Sequence, residues 1–162
     1  MSGLDDFNEL PSEPAEEVLY RCFANRRWAS AVVEGRPYKD SAGLLEAAET
    51  AWKDTSDVEW LAAFEAHPRI GESGGHAPAA SEREQSRVSE AAAETLAALA
   101  VENREYEKRF GHVFLIAARG RTADEILETL RRRMDNDPAA ELKTAAEEQR
   151  KITRHRLQDL AR

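Results

Sequence analysis

Three side chains suited to moving protons and holding anions stand at informative places in this chain: His67, Glu84 and Arg156. His67 immediately precedes Pro68, a position that disfavours helical geometry, so its imidazole belongs at a helix end facing a loop. An imidazole titrates near neutrality and suits proton transfer, although a lone histidine is more often a structural hydrogen-bonder. Glu84 lies in Ser81-x-x-Glu84-Gln85. That pattern is a capping box, in which serine and glutamate satisfy each other's backbone donors. The same first turn also exposes N–H groups that suit an anionic or carbonyl-bearing ligand. A glutamate there, at the edge of an apolar face, can have a raised pKa and exchange protons, so capping and catalysis are not exclusive. Arg156 falls inside the apolar stripe of the last helix, where a cation is costly unless paired. A salt bridge or a snorkelling side chain accounts for it, and so does a ligand, because a planar guanidinium matches a carboxylate or ureido carbonyl.

The elements that must carry these groups are helices. Ser12 is the expected N-cap of a helix through Val18, Leu19 and Phe23 to about Asn25, followed by a short one over Arg26–Glu34. Gly35-Arg36-Pro37-Tyr38 breaks the pattern, and Asp40 or Ser41 caps a third helix through Trp52. Ser56 with Glu59 forms a capping box for a fourth through Phe64, ending near His67. The glycine-rich residues 71–80 read as a flexible loop. They are not a phosphate cradle, since no Gly-Lys-Ser/Thr follows and no strand precedes. A long helix is predicted over residues 81–110, with Gly111 ending it. Residues 112–118 are short, apolar and suited to extended geometry, but lack a partner strand, so they read as a buried connector. Thr122 with Glu125 starts the next helix. Asp137 caps the last, which Pro138 opens and which runs nearly to Arg162. The expectation is an all-α fold, one compact domain over residues 1–162 with one extended connector.

Helical phase sorts the polar residues. In the 81–110 helix, Val88, Ala92, Leu96, Leu99, Tyr106 and Phe110 share a face that also takes in Gln85 and Asn103. Arg83, Ser86, Glu90, Glu94, Arg104 and Lys108 lie opposite. In the last helix Leu142, Ala145, Ala146, Ile152, Leu157 and Leu160 form the stripe, with Gln149, Thr153 and Arg156 inside it and Lys143, Arg150 and Arg154 beyond its edge.

Whole-chain properties narrow the partners. The formal net charge is −8, which opposes binding to a nucleic-acid backbone. An anionic substrate would then need a cation set deliberately in its pocket. No apolar run reaches the roughly 20 residues of a membrane span, and the acidic N-terminus lacks the order of a secretory signal. A cytoplasmic protein without membrane association is expected. Cys22 is the sole cysteine and falls among apolar residues, which points to packing and excludes an internal disulfide. His76, His112 and His155 show no paired spacing with His67 that would signal zinc.

Taken in order, a set of segments resembles the 2-oxo-4-hydroxy-4-carboxy-5-ureidoimidazoline (OHCU) decarboxylase family, which acts on the route from urate to allantoin. They are Arg27-Trp28-Ala29, Arg36-Pro37-Tyr38, His67-Pro68-Arg69-Ile70-Gly71, Ser81-Glu82-Arg83-Glu84-Gln85, residues 103–111, Phe114-Leu115-Ile116, Asn136-Asp137, Lys151-Ile152 and Arg156-Leu157. Each is short; the ordered set is specific. The resemblance implies an all-helical, cofactor-free decarboxylase, often a homodimer, acting on a small anionic ureidoimidazoline to give (S)-allantoin. It implies catalytic roles for His67 and Glu84 and substrate binding by Arg156. It further suggests ligand contacts from Pro68, Ser81, Gln85 and the backbone of Phe114, Leu115, Ile116, Ala117 and Ala118. His112 stands where many members carry an apolar residue.

Two other readings compete. A non-catalytic helical interaction module would keep its polar residues on outer faces, against the inward Gln85, Asn103, Gln149, Thr153 and Arg156. A metal hydrolase would use His67, His76 and a carboxylate.

Overall fold

A computed structural model describes residues 2–70 and 93–162, so the 71–80 loop and the first part of the predicted 81–110 helix, with Ser81, Glu84 and Gln85, lie outside the described residues. The described residues form eight helices: α1 (Gly3–Glu9), α2 (Ser12–Cys22), α3 (Arg26–Glu34), α4 (Ser41–Trp52), α5 (Asp57–Phe64), α6 (Ala93–Phe110), α7 (Ala123–Arg133) and α8 (Pro138–Leu160). No strand occurs among them, and the fold is all-α as expected. No helix among the described residues is long and apolar enough to cross a membrane. The contacts divide into two units, one reaching to Ala63 and taking in Arg150–Arg162, the other spanning Phe64–Gln149.

The first unit holds α1 to α4, most of α5 and the end of α8. Helix α1 is an addition to the predicted elements: a short helix that Ser2 starts through a capping box with Asp5. Ser12 is the first residue of α2 and not its cap. Pro11 precedes the helix without a side-chain cap bond, and the Ala15 N–H returns to the Pro11 carbonyl at 3.0 Å. Helix α2 also stops earlier than Asn25, which instead caps α3 by accepting the Trp28 N–H at 2.8 Å. The core gathers Phe7, Leu19, Phe23, Trp28, Leu44 and Leu157, with the Phe23 and Trp28 rings edge to face at 5.3 Å. Arg36 donates to the carbonyls of Phe7 and Leu10, both at 2.7 Å, tying down the end of α1. Cys22 is buried in this core, as its neighbours imply.

The second unit carries α6, α7 and the first half of α8, with a core of Leu99, Tyr106, Phe114, Ile116, Ile126 and Leu130. Gly111 ends α6 at φ +79°, a left-handed conformation that L side chains resist. Residues 112–118 then run without helix or strand, and Phe114 to Ala118 are all buried. The Thr122 hydroxyl caps α7 by accepting the Glu125 N–H at 3.1 Å, and Asp137 caps α8 through Ala140 at 3.1 Å.

Candidate active site

The site-bearing part of the second unit begins where α5 runs out. The helix stops at Phe64, and the His67 N–H still reaches the Phe64 carbonyl at 3.1 Å, so His67 closes the final turn before Pro68 redirects the chain. Two ties then fix residues 67–70 to α6. Arg69 forms a two-bonded ion pair with Glu107, at 3.0 and 2.8 Å, and the Asn103 amide donates to the Ile70 carbonyl at 2.9 Å. Asn103 is thus buried for a reason: it satisfies a loop carbonyl that would otherwise face apolar side chains.

His67 itself is half-buried, and its Nε2 lies 2.6 Å from Oε1 of the fully buried Gln149 on α8. An amide oxygen only accepts, so this contact is a hydrogen bond when Nε2 carries the hydrogen. The adjacent Glu148, also buried, accepts the Ala117 N–H at 3.0 Å. Two successive residues of α8 therefore hold two different segments, the His67 turn and the 112–118 connector. Gln149 is legible as an inward polar residue. Glu148 is missed, although it and Glu141 lie seven positions apart on the stripe edge shared by Ala145 and Ile152.

A buried charge network supports the connector from its other side. Arg133 donates to Glu141 Oε2 through Nε at 2.8 Å and Nη2 at 2.6 Å, while its Nη1 holds the Leu115 carbonyl at 2.7 Å. The guanidinium also lies over the Phe114 ring, 4.5 Å from its centroid. The Tyr106 hydroxyl donates to the same Glu141 oxygen, and Asn136 donates to Oε1 at 3.0 Å. Burial pushes the Tyr106 phenol far up, and the hydrogen bond to Glu141 adds to this, so the hydroxyl stays a donor. His112 completes the lining. Its ring meets Phe64, Tyr106 and Phe110 with centroids 5.4, 5.6 and 6.2 Å away, so an aromatic-sized ring fills the place where an apolar residue is expected.

Of the expected site residues, His67, Pro68 and the run Phe114, Leu115, Ile116, Ala117 and Ala118 belong to the second unit. Arg156 belongs to the first, buried at 8% exposure, with Nη1 donating to the carbonyls of Arg21 at 3.1 Å and Cys22 at 3.3 Å. Ser81, Glu84 and Gln85 lie outside the described residues, as does His76. Among the described residues no group of three or more His, Cys, Asp and Glu side chains could hold a metal ion.

A family model described as OHCU decarboxylase matches residues 8–158. The uric acid degradation bifunctional protein of Arabidopsis thaliana is 32% identical over 157 residues, covering 93% of this chain but 48% of its own length, so the chain spans about half of that relative. The 2-oxo-4-hydroxy-4-carboxy-5-ureidoimidazoline decarboxylase of Haloferax volcanii is 29% identical over 95% of this chain and 93% of its own. A crystal structure of OHCU decarboxylase in the presence of (S)-allantoin superposes with a TM-score of 0.75 at 33% identity, covering 90% of this chain and 96% of that one. The match takes in the His67 turn, the connector and both residues of α8 that hold them: this chain belongs to the OHCU decarboxylase family.

Proposed function

We propose that this chain decarboxylates 2-oxo-4-hydroxy-4-carboxy-5-ureidoimidazoline to (S)-allantoin, with His67 and Glu84 exchanging protons and Arg156 binding substrate oxygens. The observation that carries the reading is the held imidazole, a titratable ring fixed at Nε2 at the end of a helix in a chain of a decarboxylase family. Loss of carbon dioxide leaves its bonding pair on the ring carbon that bears the hydroxyl. That pair is delocalised into the adjacent carbonyl or imine system, and one proton must then arrive on one face to give one enantiomer. His67 acts near the substrate hydroxyl and carboxylate as the proton-transfer group. Glu84 orients the hydroxyl or ureido N–H groups and assists, and backbone donors hold the ring carbonyl as charge develops.

Pro68, Ser81, Gln85 and the backbone of residues 114–118 complete the substrate contacts in this reading. The resemblance to the family supports it, as does an inward cation in a chain of net charge −8. The same resemblance supports a cofactor-free homodimer, and we further propose a single domain, in keeping with its 162 residues, working in the cytoplasm. The deciding experiment is His67→Asn in an assay that generates the substrate from urate in situ and follows both rate and optical activity. The proposal expects turnover to fall by about a hundredfold or more. Optically active allantoin formed at the wild-type rate would remove His67 from the chemistry.

A further inference from the structure

We infer that Gln149 is a positioning residue for the reaction: it holds the His67 imidazole as the Nε2–H form and so makes Nδ1 the atom that exchanges protons with substrate. The inference rests on the proposed catalytic role of His67 and adds which nitrogen acts and what selects it. Its basis is the 2.6 Å contact between His67 Nε2 and Gln149 Oε1, made by an amide with 0% exposure.

The chemistry of the two groups gives the contact its consequence. A neutral imidazole has one N–H and one lone pair, and the partner of one nitrogen decides where the other's lone pair lies. Oε1 accepts only, so the hydrogen stays on Nε2. When Nδ1 takes up a proton the ring becomes cationic and Nε2–H still donates to Oε1. The bond therefore persists in both protonation states, and the ring need not turn during the transfer. A carboxylate in that place would do the same but would also favour the cation. The neutral amide fixes direction without adding a charge beside the ring.

The amide is itself well placed to act as a fixed reference. Gln149 sits beside Glu148, whose carboxylate takes the Ala117 N–H at 3.0 Å, so this turn of α8 is tied to a second segment. On the other side, His67 is limited by Pro68 and by the Arg69–Glu107 and Asn103–Ile70 ties that follow it.

The test reads the tautomer directly. Nitrogen NMR of the wild-type protein, labelled in histidine, is expected to show the neutral His67 ring with its hydrogen on Nε2. In Gln149→Leu, which keeps the volume but removes the acceptor, the ring should become a mixture of tautomers. Its kcat should fall about tenfold to a hundredfold with KM changed less. Gln149→Glu, which restores an acceptor at the same reach, should return the Nε2–H form and recover part of kcat. A wild-type ring with its hydrogen on Nδ1 overturns the inference, and so does a leucine variant with unchanged kcat. His67→Asn is measured beside them to separate the two ideas. If it keeps full turnover, the catalytic reading itself has failed, and an Nε2–H ring then leaves Gln149 a structural partner only. If it is inactive while Gln149→Leu is fully active, the positioning role alone has failed.

Discussion

Glu148 on α8 accepts the N–H of Ala117 at 3.0 Å, so a side chain does for the connector what a neighbouring strand does in a sheet. Residues 112–118 have extended-favouring composition but no strand partner, and a buried backbone donor must be paired all the same. Replacing Glu148 by leucine should therefore cost about 1–3 kcal/mol, the range for leaving a buried donor unmet. Glu148→Gln, which retains an acceptor oxygen, should cost less. Urea unfolding of the two variants checks this, and equal losses would show that the Ala117 bond is not what the glutamate supplies.

Arg133 and Glu141 form a buried pair whose side chains are 7% and 0% exposed. Removing one charge leaves the other uncompensated, so Glu141→Leu alone should destabilise by about 3–5 kcal/mol. The effect reaches beyond the pair, since Tyr106 and Asn136 also lose their acceptor. Arg133→Met should be costly for the same reason and should also release the Leu115 carbonyl. The double variant Arg133→Met/Glu141→Leu should cost clearly less than the two singles added. A double-mutant cycle on unfolding free energies measures this coupling, and additive costs would refute it.

How far the sequence reveals such arrangements depends on whether one helix carries the signal. Caps are local: the Ser56–Glu59 box, Thr122 and Asp137 read correctly from their own few residues, and of the two candidates Asp40 and Ser41 it is Asp40 that caps. Helical phase exposes the inward Asn103, Gln149, Thr153 and Arg156, because an interruption of an apolar stripe is visible within the stripe. The Arg133–Glu141 pair is different. Each residue alone looks like an ordinary charged side chain at a helix end, and only the approach of two helices shows that neither meets water. Leu142, expected in the stripe, is half-buried while its neighbour Glu141 takes the enclosed position. Helix α1 is short enough that its Ser2–Asp5 box is its main local signal. The roles of Glu84, Ser81 and Gln85 rest on sequence alone, since those residues lie outside the described structure.

The acid side of the stability curve should depend on Glu59. The Arg27 guanidinium, 2.7 Å away, and the Asn25 amide, 2.6 Å away, hold its carboxyl below the ordinary value of 4.5. A depressed folded-state pKa means that the unfolded chain binds the proton first as pH falls. The contribution is thus fully present above about 4.5 and disappears as pH drops through the lower folded value. Glu59→Gln should be less stable than the parent at neutral pH, and the difference should shrink as acid is added. Thermal melts across that range provide the measurement. A gap that stays constant with pH would mean that the carboxyl's ionisation is not what stabilises.

Arg156 has a structural task that any binding role must be separated from. Its Nη1 donates to the Arg21 and Cys22 carbonyls at the end of α2, groups with no intrahelical partner of their own, and Thr153 joins it on Cys22 at 3.2 Å. Substitution must therefore lower stability even if the residue never meets substrate, by roughly 0.5–1.5 kcal/mol for each net hydrogen bond lost. The informative contrast is Arg156→Lys against Arg156→Gln. Lysine keeps the charge but offers a point donor in place of a planar fork, and glutamine keeps polar reach without the charge. If Arg156 binds the anionic substrate, KM should rise by about tenfold to a hundredfold in the glutamine variant, the equivalent of one charged hydrogen bond, and by less with lysine. Both variants should show lowered unfolding midpoints whatever happens to KM. Loss of stability with an unchanged KM in both would assign Arg156 to the end of α2 alone.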